Sequence, residues 1–224
     1  ESARGIAYPN ALNLPIDESK IPTFVKPYIE LTQKMAFLIA QLSKSEIRSI
    51  NIAAEGAISE YLDSLQTFAT VGVLAVSSGS EVNYVNASFI AKEKNIELTT
   101  SEFSNHSGYQ NKVSIKITTP TGVKTISGTV FNEDVQRIVE INGFPLDIEP
   151  KGKMIVMRNN DVPGVIGEVG KILGDNNINI ADFRLSRGKE GALAVILIDE
   201  KASSDVLKKL GNLEAAIAVA YAEI

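Results

Sequence analysis

Along residues 24–42 the apolar side chains Phe24, Tyr28, Leu31, Met35, Leu38, Ile39 and Leu42 recur at helical spacing. That period predicts an amphipathic helix, with Lys26, Glu30, Lys34 and Gln41 on its other face. RSINIAAEG (48–56) predicts a strand punctuated by Gly56, and LDSLQTFATVGVLAV (62–76) a mostly buried helix. YVNASFIAKEKN (84–95) is a second helical candidate, stopped at Asn95. From 111 to 149 the period changes to two: Val113, Ile115 and Ile117 alternate with polar residues, and Thr119-Pro120-Thr121-Gly122 turns the chain. Lys124 to Phe131 returns, and Gln136–Ile141 and Phe144–Ile148 flank Asn142-Gly143, the strongest short hairpin signal.

A polar stretch, Lys151-Gly152-Lys153, then reads as a hinge. Beyond it the pattern is β (154–159), α (163–176), β (178–187), β (190–198), α (203–210), β (214–222), with Arg187-Gly188-Lys189-Glu190-Gly191 as the central hairpin turn. This βαββαβ order is ferredoxin-like. The expected class is therefore α+β in two domains. Residues 1–22 form an extended entry segment rich in turn formers. Residues 23–150 carry helices and then an antiparallel sheet, and residues 151–224 the ferredoxin-like domain.

Composition narrows the functional classes. The 224 residues are 44% hydrophobic and 22% charged, enough for two globular cores. A net charge of −5 gives no basic face for phosphate, so nucleic acid is not an expected partner. The sequence has no cysteine, which excludes disulfides, cysteine-ligated metals and thiolate nucleophiles, and sits comfortably with a cytoplasmic home. No apolar run approaches the ~20 residues of a membrane span. ESARGIAYPN has no secretory pattern and lacks Met, as expected of the middle of a longer protein.

Catalytic and cofactor signatures are missing. There is no G-x-G-x-x-G and no phosphate loop; Gly164, Gly167 and Gly170, spaced by three, predict a smooth helix face for close packing. The single histidine, His106, lies in a polar loop without a placeable partner, and a solvated loop residue is the plain reading of it.

The positive signal is the turn Asn159–Val165. Pro163 suits a first helical turn, and Gly164 lets a ligand approach the backbone. The unpaired N–H groups of a helix start favour a carboxylate. Asp161 can take an ammonium group, and Asn179, where the next strand begins after Asn176-Asn177, can donate and accept. Together they would hold a free amino acid by both charged ends. Taken singly, Asp161 is better explained as a helix cap and Asn179 as a turn residue; taken together with the fold order, the site is the favoured reading.

Asp161-Val162-Pro163-Gly164-Val165 and Asn177-Ile178-Asn179-Ile180 match the pattern D-x-P-G-[VA] followed by N-I, and by it the last seventy or so residues resemble an ACT domain. More specifically, the sequence resembles the C-terminal part of the long form of the D-3-phosphoglycerate dehydrogenases. PNALNLP (9–15) is similar to the end of that family's catalytic region. PYIELTQKMAFLIAQL (27–42) is similar to the helix opening its intervening domain, also called the allosteric substrate-binding domain. GTVFNEDVQRIVEINGFPLDIEPKG (128–152) is similar to that domain's final sheet.

The resemblance implies a regulatory and oligomerisation fragment with no catalytic residue of its own. The NAD-binding fold and catalytic His–Glu pair would lie before residue 1, and the whole enzyme would oxidise 3-phosphoglycerate in the first step of L-serine biosynthesis. L-serine, or a similar small amino acid, would bind between two ACT domains of a homodimer or tetramer. The effector positions carry over to Asp161 and Asn179, with Asn159, Val162, Pro163, Gly164, Val165 and Ile180 around them. Asn159 stands where members of the family often have His or Tyr. A second anion site, present in some long-form members, would fall on Arg137 and Lys151, although Glu149 occupies another of its basic positions and an exposed strand charge explains Arg137. The same two domains also occur beside iron–sulfur L-serine dehydratases, and a structural module without a ligand is the third reading.

Overall fold

A computed structural model describes residues 21–43, 45–103, 108–189 and 191–224. PNALNLP, His106 and Glu190 lie outside them. The protein is α+β, and its described residues divide into two compact units, one ending at Gly143 and the other beginning at Phe144.

In the first unit α1 (Lys26–Gln41) and α2 (Leu62–Ser78) pack on one face of a sheet. α1 buries Tyr28, Leu31, Met35, Leu38 and Ile39, most of the predicted apolar stripe. α2 is buried along Leu65, Phe68, Ala69 and Val71–Leu74. Gly72 makes their close approach possible: a Cβ there would lie 2.5 Å from the Gln33 carbonyl oxygen and 2.9 Å from Ala36 Cβ. A short α3 (Ala87–Glu93) follows, and Asn95 leaves it with φ 55°, a left-handed stop of the kind asparagine tolerates.

Five strands of this unit run in the order β2-β1-β3-β4-β5, from β1 (Ser49–Glu55), β2 (Glu97–Glu102), β3 (Lys112–Thr119), β4 (Gly122–Phe131) and β5 (Val135–Ile141). Period two places Ile50, Ile52, Val113, Ile115, Ile117 and Ile126 in the core. The register sets Ile50 against Ile117 and Ile52 against Ile115. The sheet is not wholly antiparallel as expected: β2 pairs parallel to β1, after a crossover through α2 and α3. Periodicity misses β2 because Glu-Leu-Thr-Thr-Ser-Glu has one apolar residue. It is an edge strand, held by its ladder and by Asn51, whose Nδ2 donates to Thr99 Oγ1 at 2.9 Å.

Asn142 and Gly143 have φ of 50° and 80°, the pair of positive values that a two-residue hairpin turn requires. The second unit begins just after them, with β6 (Phe144–Ile148). Phe144 lies against Gly188, where an added Cβ would come within 2.9 Å of its ring. The unit continues as β7 (Lys153–Asn159), α4 (Val165–Asp175), β8 (Ile180–Gly188), β9 (Gly191–Ile198), α5 (Ser204–Gly211) and β10 (Ala216–Glu223). The stretch read as a hinge is tied at both ends: Gly152 O accepts from Ile224 N at 2.9 Å, and Lys153 opens β7.

Sheet order β10-β7-β9-β8 is the ferredoxin-like arrangement. Ile155, Met157, Ala194, Ile196 and Ile198 meet Val165, Val169 and Leu173 of α4 and Val206 and Leu210 of α5. Ser203 caps α5, accepting from Val206 N at 3.3 Å. α4 ends as its asparagines predict. Asn177 is left-handed at φ 55°, Ile178 N donates to Leu173 O at 3.0 Å and Asn177 N to Gly174 O at 3.0 Å, a Schellman closure. Among the described residues no helix is long and apolar enough to cross a membrane.

On β10, burial pushes the Tyr221 hydroxyl up to about 12, helped by the charge of Glu223, which also accepts its hydrogen bond at 3.1 Å. The folded state thus holds the neutral phenol more tightly than the unfolded state. The resulting stability is complete below pH ~10 and is lost as pH rises through about 12. In a tyrosinate absorbance titration, Tyr221→Phe is expected to remove one ionisation near pH 12.

Candidate functional site

β7 and β8 both run antiparallel to β9, so they are parallel to each other and end at the same edge of the sheet. Asn159, the last residue of β7, pairs with Ala192, and so does Arg187 near the end of β8. The turn 160–164 leaves β7 at this edge and leads into α4. Around it opens a cleft of about 410 Å³, with Asn159, Asp161, the residues 162–167 and Arg187 at its polar side and Met157, Phe183, Leu185 and Ala194 below.

Pro163 and Gly164 form the turn ahead of α4 rather than its first turn. The helix starts at Val165, because Gly164 takes φ 97°, a left-handed conformation outside the helical range. No side chain caps α4, so Asp161 is not its cap. The first N–H groups of the helix thus keep their positive end facing the cleft mouth. Asp161 pairs instead with Arg187, Oδ2 to Nε 3.3 Å. Val165 is buried in the core and can offer only its backbone, whereas Val162 and Ile166 are 50% and 53% exposed beside the cleft.

Asn159 is 2% exposed. Its Nδ2 donates to Asn160 O at 2.7 Å, while its Oδ1 is buried without a hydrogen-bond partner. A buried acceptor left unmatched costs about 1–3 kcal/mol, so this atom calls for a donor.

Asn179 is not in this cleft. It precedes β8, whose first residue, Ile180, is level with Ile198 and Lys153 at the other end of β7. Six strand positions, roughly 20 Å, separate the two ends. There Asn179 N donates to Glu200 Oε2 at 2.7 Å and Nδ2 to Asp199 Oδ2 at 2.6 Å. The sequence pattern puts Asp161 and Asn179 in one motif, and the fold of the chain holds them apart.

Among the described residues Gly167 and Gly170 do not serve close packing: an added Cβ at either meets nothing within 4 Å. The inward positions of α4 are Val165, Val169 and Leu173, and the glycines fall outside that stripe. Arg187, expected in the hairpin turn, belongs to β8 and faces Asp161, a role sequence reading missed. The available signal was topological, since strands on either side of a βαβ crossover end at the same edge. Of the two residues considered for a second anion site, Arg137 lies in β5 and donates from Nη1 to Gln136 O at 3.1 Å. Lys151 pairs with Glu149 at 2.7 Å.

Comparison with known proteins agrees with the two units. Residues 24–142 match the family described as the D-3-phosphoglycerate dehydrogenase intervening domain, and residues 153–215 match the ACT domain. The sequence is 35% identical to D-3-phosphoglycerate dehydrogenase of Bacillus subtilis over 220 residues, which are 97% of this chain and 42% of that protein. It is 29% identical to the Archaeoglobus fulgidus enzyme, covering 99% and 43%, and 32% identical to that of Mycobacterium leprae, covering 88% and 38%. The chain thus spans about two fifths of the length of these curated relatives.

Proposed function

The chain belongs to the D-3-phosphoglycerate dehydrogenase family, and from that membership we propose that it is a regulatory part which binds a small amino acid, L-serine first among the candidates, at a seam between two ACT domains. The parent enzyme, on this reading, is an NAD-dependent oxidoreductase acting on 3-phosphoglycerate. On the same reading, the nicotinamide site and the chemistry belong to other domains of that enzyme.

The observation that carries the reading is the buried, unpartnered Oδ1 of Asn159 in the cleft where α4 begins. A free amino acid answers it. The ammonium supplies donors to Asn159 and a counter-charge to Asp161, while the carboxylate meets the N–H groups of the helix start.

The separation of Asp161 from Asn179 supports a site shared by two protomers. β8 is an outer strand, and an outer strand presents unpaired backbone groups. If two β8 edges pair antiparallel about a two-fold axis, the Arg187 end of one meets the Asn179 end of the other. Half-exposed Val162 and Ile166 would be covered at the same time. Binding would then cross-link subunits and bias their arrangement by its differential affinity, typically ~1–3 kcal/mol.

A second reading, a structural oligomerisation module with no ligand, draws on Asn179, whose backbone and side-chain N–H groups are already engaged by Glu200 and Asp199. Calorimetry separates the two. Asp161→Ala and Asn179→Ala are each expected to weaken L-serine about tenfold or more, the worth of one charge-assisted hydrogen bond. Unchanged affinity in both variants, or a protein that stays monomeric with and without serine, removes the seam.

A further inference from the structure

We infer that Arg187 is the residue that binds the effector's carboxylate, and that its ion pair with Asp161 is the resting form of the site, opened when a zwitterion inserts. The inference rests on the amino-acid reading of the cleft.

Among the described residues that line the cleft, Asp161 and Arg187 are the only charged ones. The cleft therefore carries one charge of each sign, side by side, with Nε and Oδ2 3.3 Å apart. An inorganic anion in this place would meet Arg187 but be repelled by Asp161. A simple amine would meet Asp161 but be repelled by Arg187 and by the positive end of α4. A zwitterion matches both, and it replaces one ion pair by two.

The pair is built to open. Its side chains are 72% and 35% exposed, and exposed pairs of this kind contribute little stability. Asp161 is thereby kept matched while the site is empty. Once released, the planar guanidinium fork of Arg187 can take a carboxylate with two parallel hydrogen bonds. Arg187 is anchored for this at the end of β8, level with Asn159, whose buried Oδ1 is the other group awaiting a donor. One ligand then satisfies four features of one protomer: Asp161, Arg187, the uncapped start of α4 and Asn159. The partner subunit's contribution is left to the remaining side of the ligand.

The test compares L-serine with serinol (2-amino-1,3-propanediol), in which a second hydroxymethyl group replaces the carboxylate, by calorimetry on the 224-residue chain. In Arg187→Gln, L-serine is expected to bind about tenfold or more weakly than in the unaltered protein, while serinol, an amine that Arg187 repels, is expected to bind no more weakly. Arg187→Lys, which keeps the charge but not the fork, is expected to lie between. Equal losses for both ligands would assign Arg187 to the shape of the site instead. An unchanged or tighter L-serine affinity would make it only a counter-ion of Asp161. In either case an affinity still abolished by Asp161→Ala leaves the amino-acid site standing. Failure of the unaltered protein to bind any of the twenty amino acids overturns the site and this inference together.

Discussion

Gly191→Ala is expected to destabilise the second unit by about 3 kcal/mol and to weaken serine binding with it. Gly191 opens β9 with φ 102°, where a residue bearing a Cβ is strained by about 1–2 kcal/mol. The added methyl would also lie 2.5 Å from the carbonyl oxygen of Asn159, which is backbone and can yield only by moving β7. Because Asn159 lines the cleft, the displacement reaches the site as well as the fold. A lower urea midpoint and an L-serine affinity reduced about tenfold are the expected measurements. Gly211→Ala is the control, because its Cβ meets nothing within 4 Å and its φ is not positive. If both variants behave alike, close approach at Gly191 is not what holds the turn.

Gly72→Val is expected to destabilise the first unit by about 3 kcal/mol or more, the upper range for overpacking. The Cβ alone would sit 2.5 Å from Gln33 O, 2.9 Å from Ala36 Cβ and 3.1 Å from Phe37 N, so α1 and α2 would have to part. Parting them uncovers Leu31, Met35, Leu38, Leu65 and Leu74, each at most 1% exposed. It also disturbs the buried hydrogen bond from Tyr84 to Gln33, 3.1 Å long. The urea transition followed by far-ultraviolet circular dichroism reads this directly. A loss smaller than about 1 kcal/mol would mean that the two helices slide apart easily, against a close-packed interior. L-serine binding, in the other unit, is expected to persist under conditions where the variant stays folded.

Both glycines illustrate where sequence reading stops. Gly72 lies inside LQTFATVGVLAV, where a glycine reads as a tolerated weakness in a helix, and nothing local says that Ala36 faces it. Gly191 reads as a turn glycine, which it is, but its contact with Asn159 exists only because β7 and β9 pair in one register. Asp161, Gly164 and Asn159 were legible as candidates because the chemistry of a helix start is local: a turn, a left-handed glycine, a carboxylate and a carboxamide within a few positions, and all three line the cleft. Arg187 was not legible, since it is 26 positions from Asp161 in sequence and meets it only through topology.

The order of helices and strands, the hairpin at Asn142-Gly143, the left-handed stops at Asn95 and Asn177 and the turn ahead of α4 follow from neighbouring residues alone. A period of 3.6 or 2 is imposed by backbone geometry, and turn conformations by the residues that adopt them. Three things needed the tertiary fold. The polar β2 becomes a strand because β1 offers it a parallel ladder. Asp161 gains Arg187 because two strands end at one edge, and Asn179 is carried about 20 Å away to the opposite edge. Those outcomes depend on which strands pair and in what register, a choice made by buried apolar contacts and backbone hydrogen bonds between distant segments, and it is this choice that turns one linear motif into the two halves of a proposed shared site.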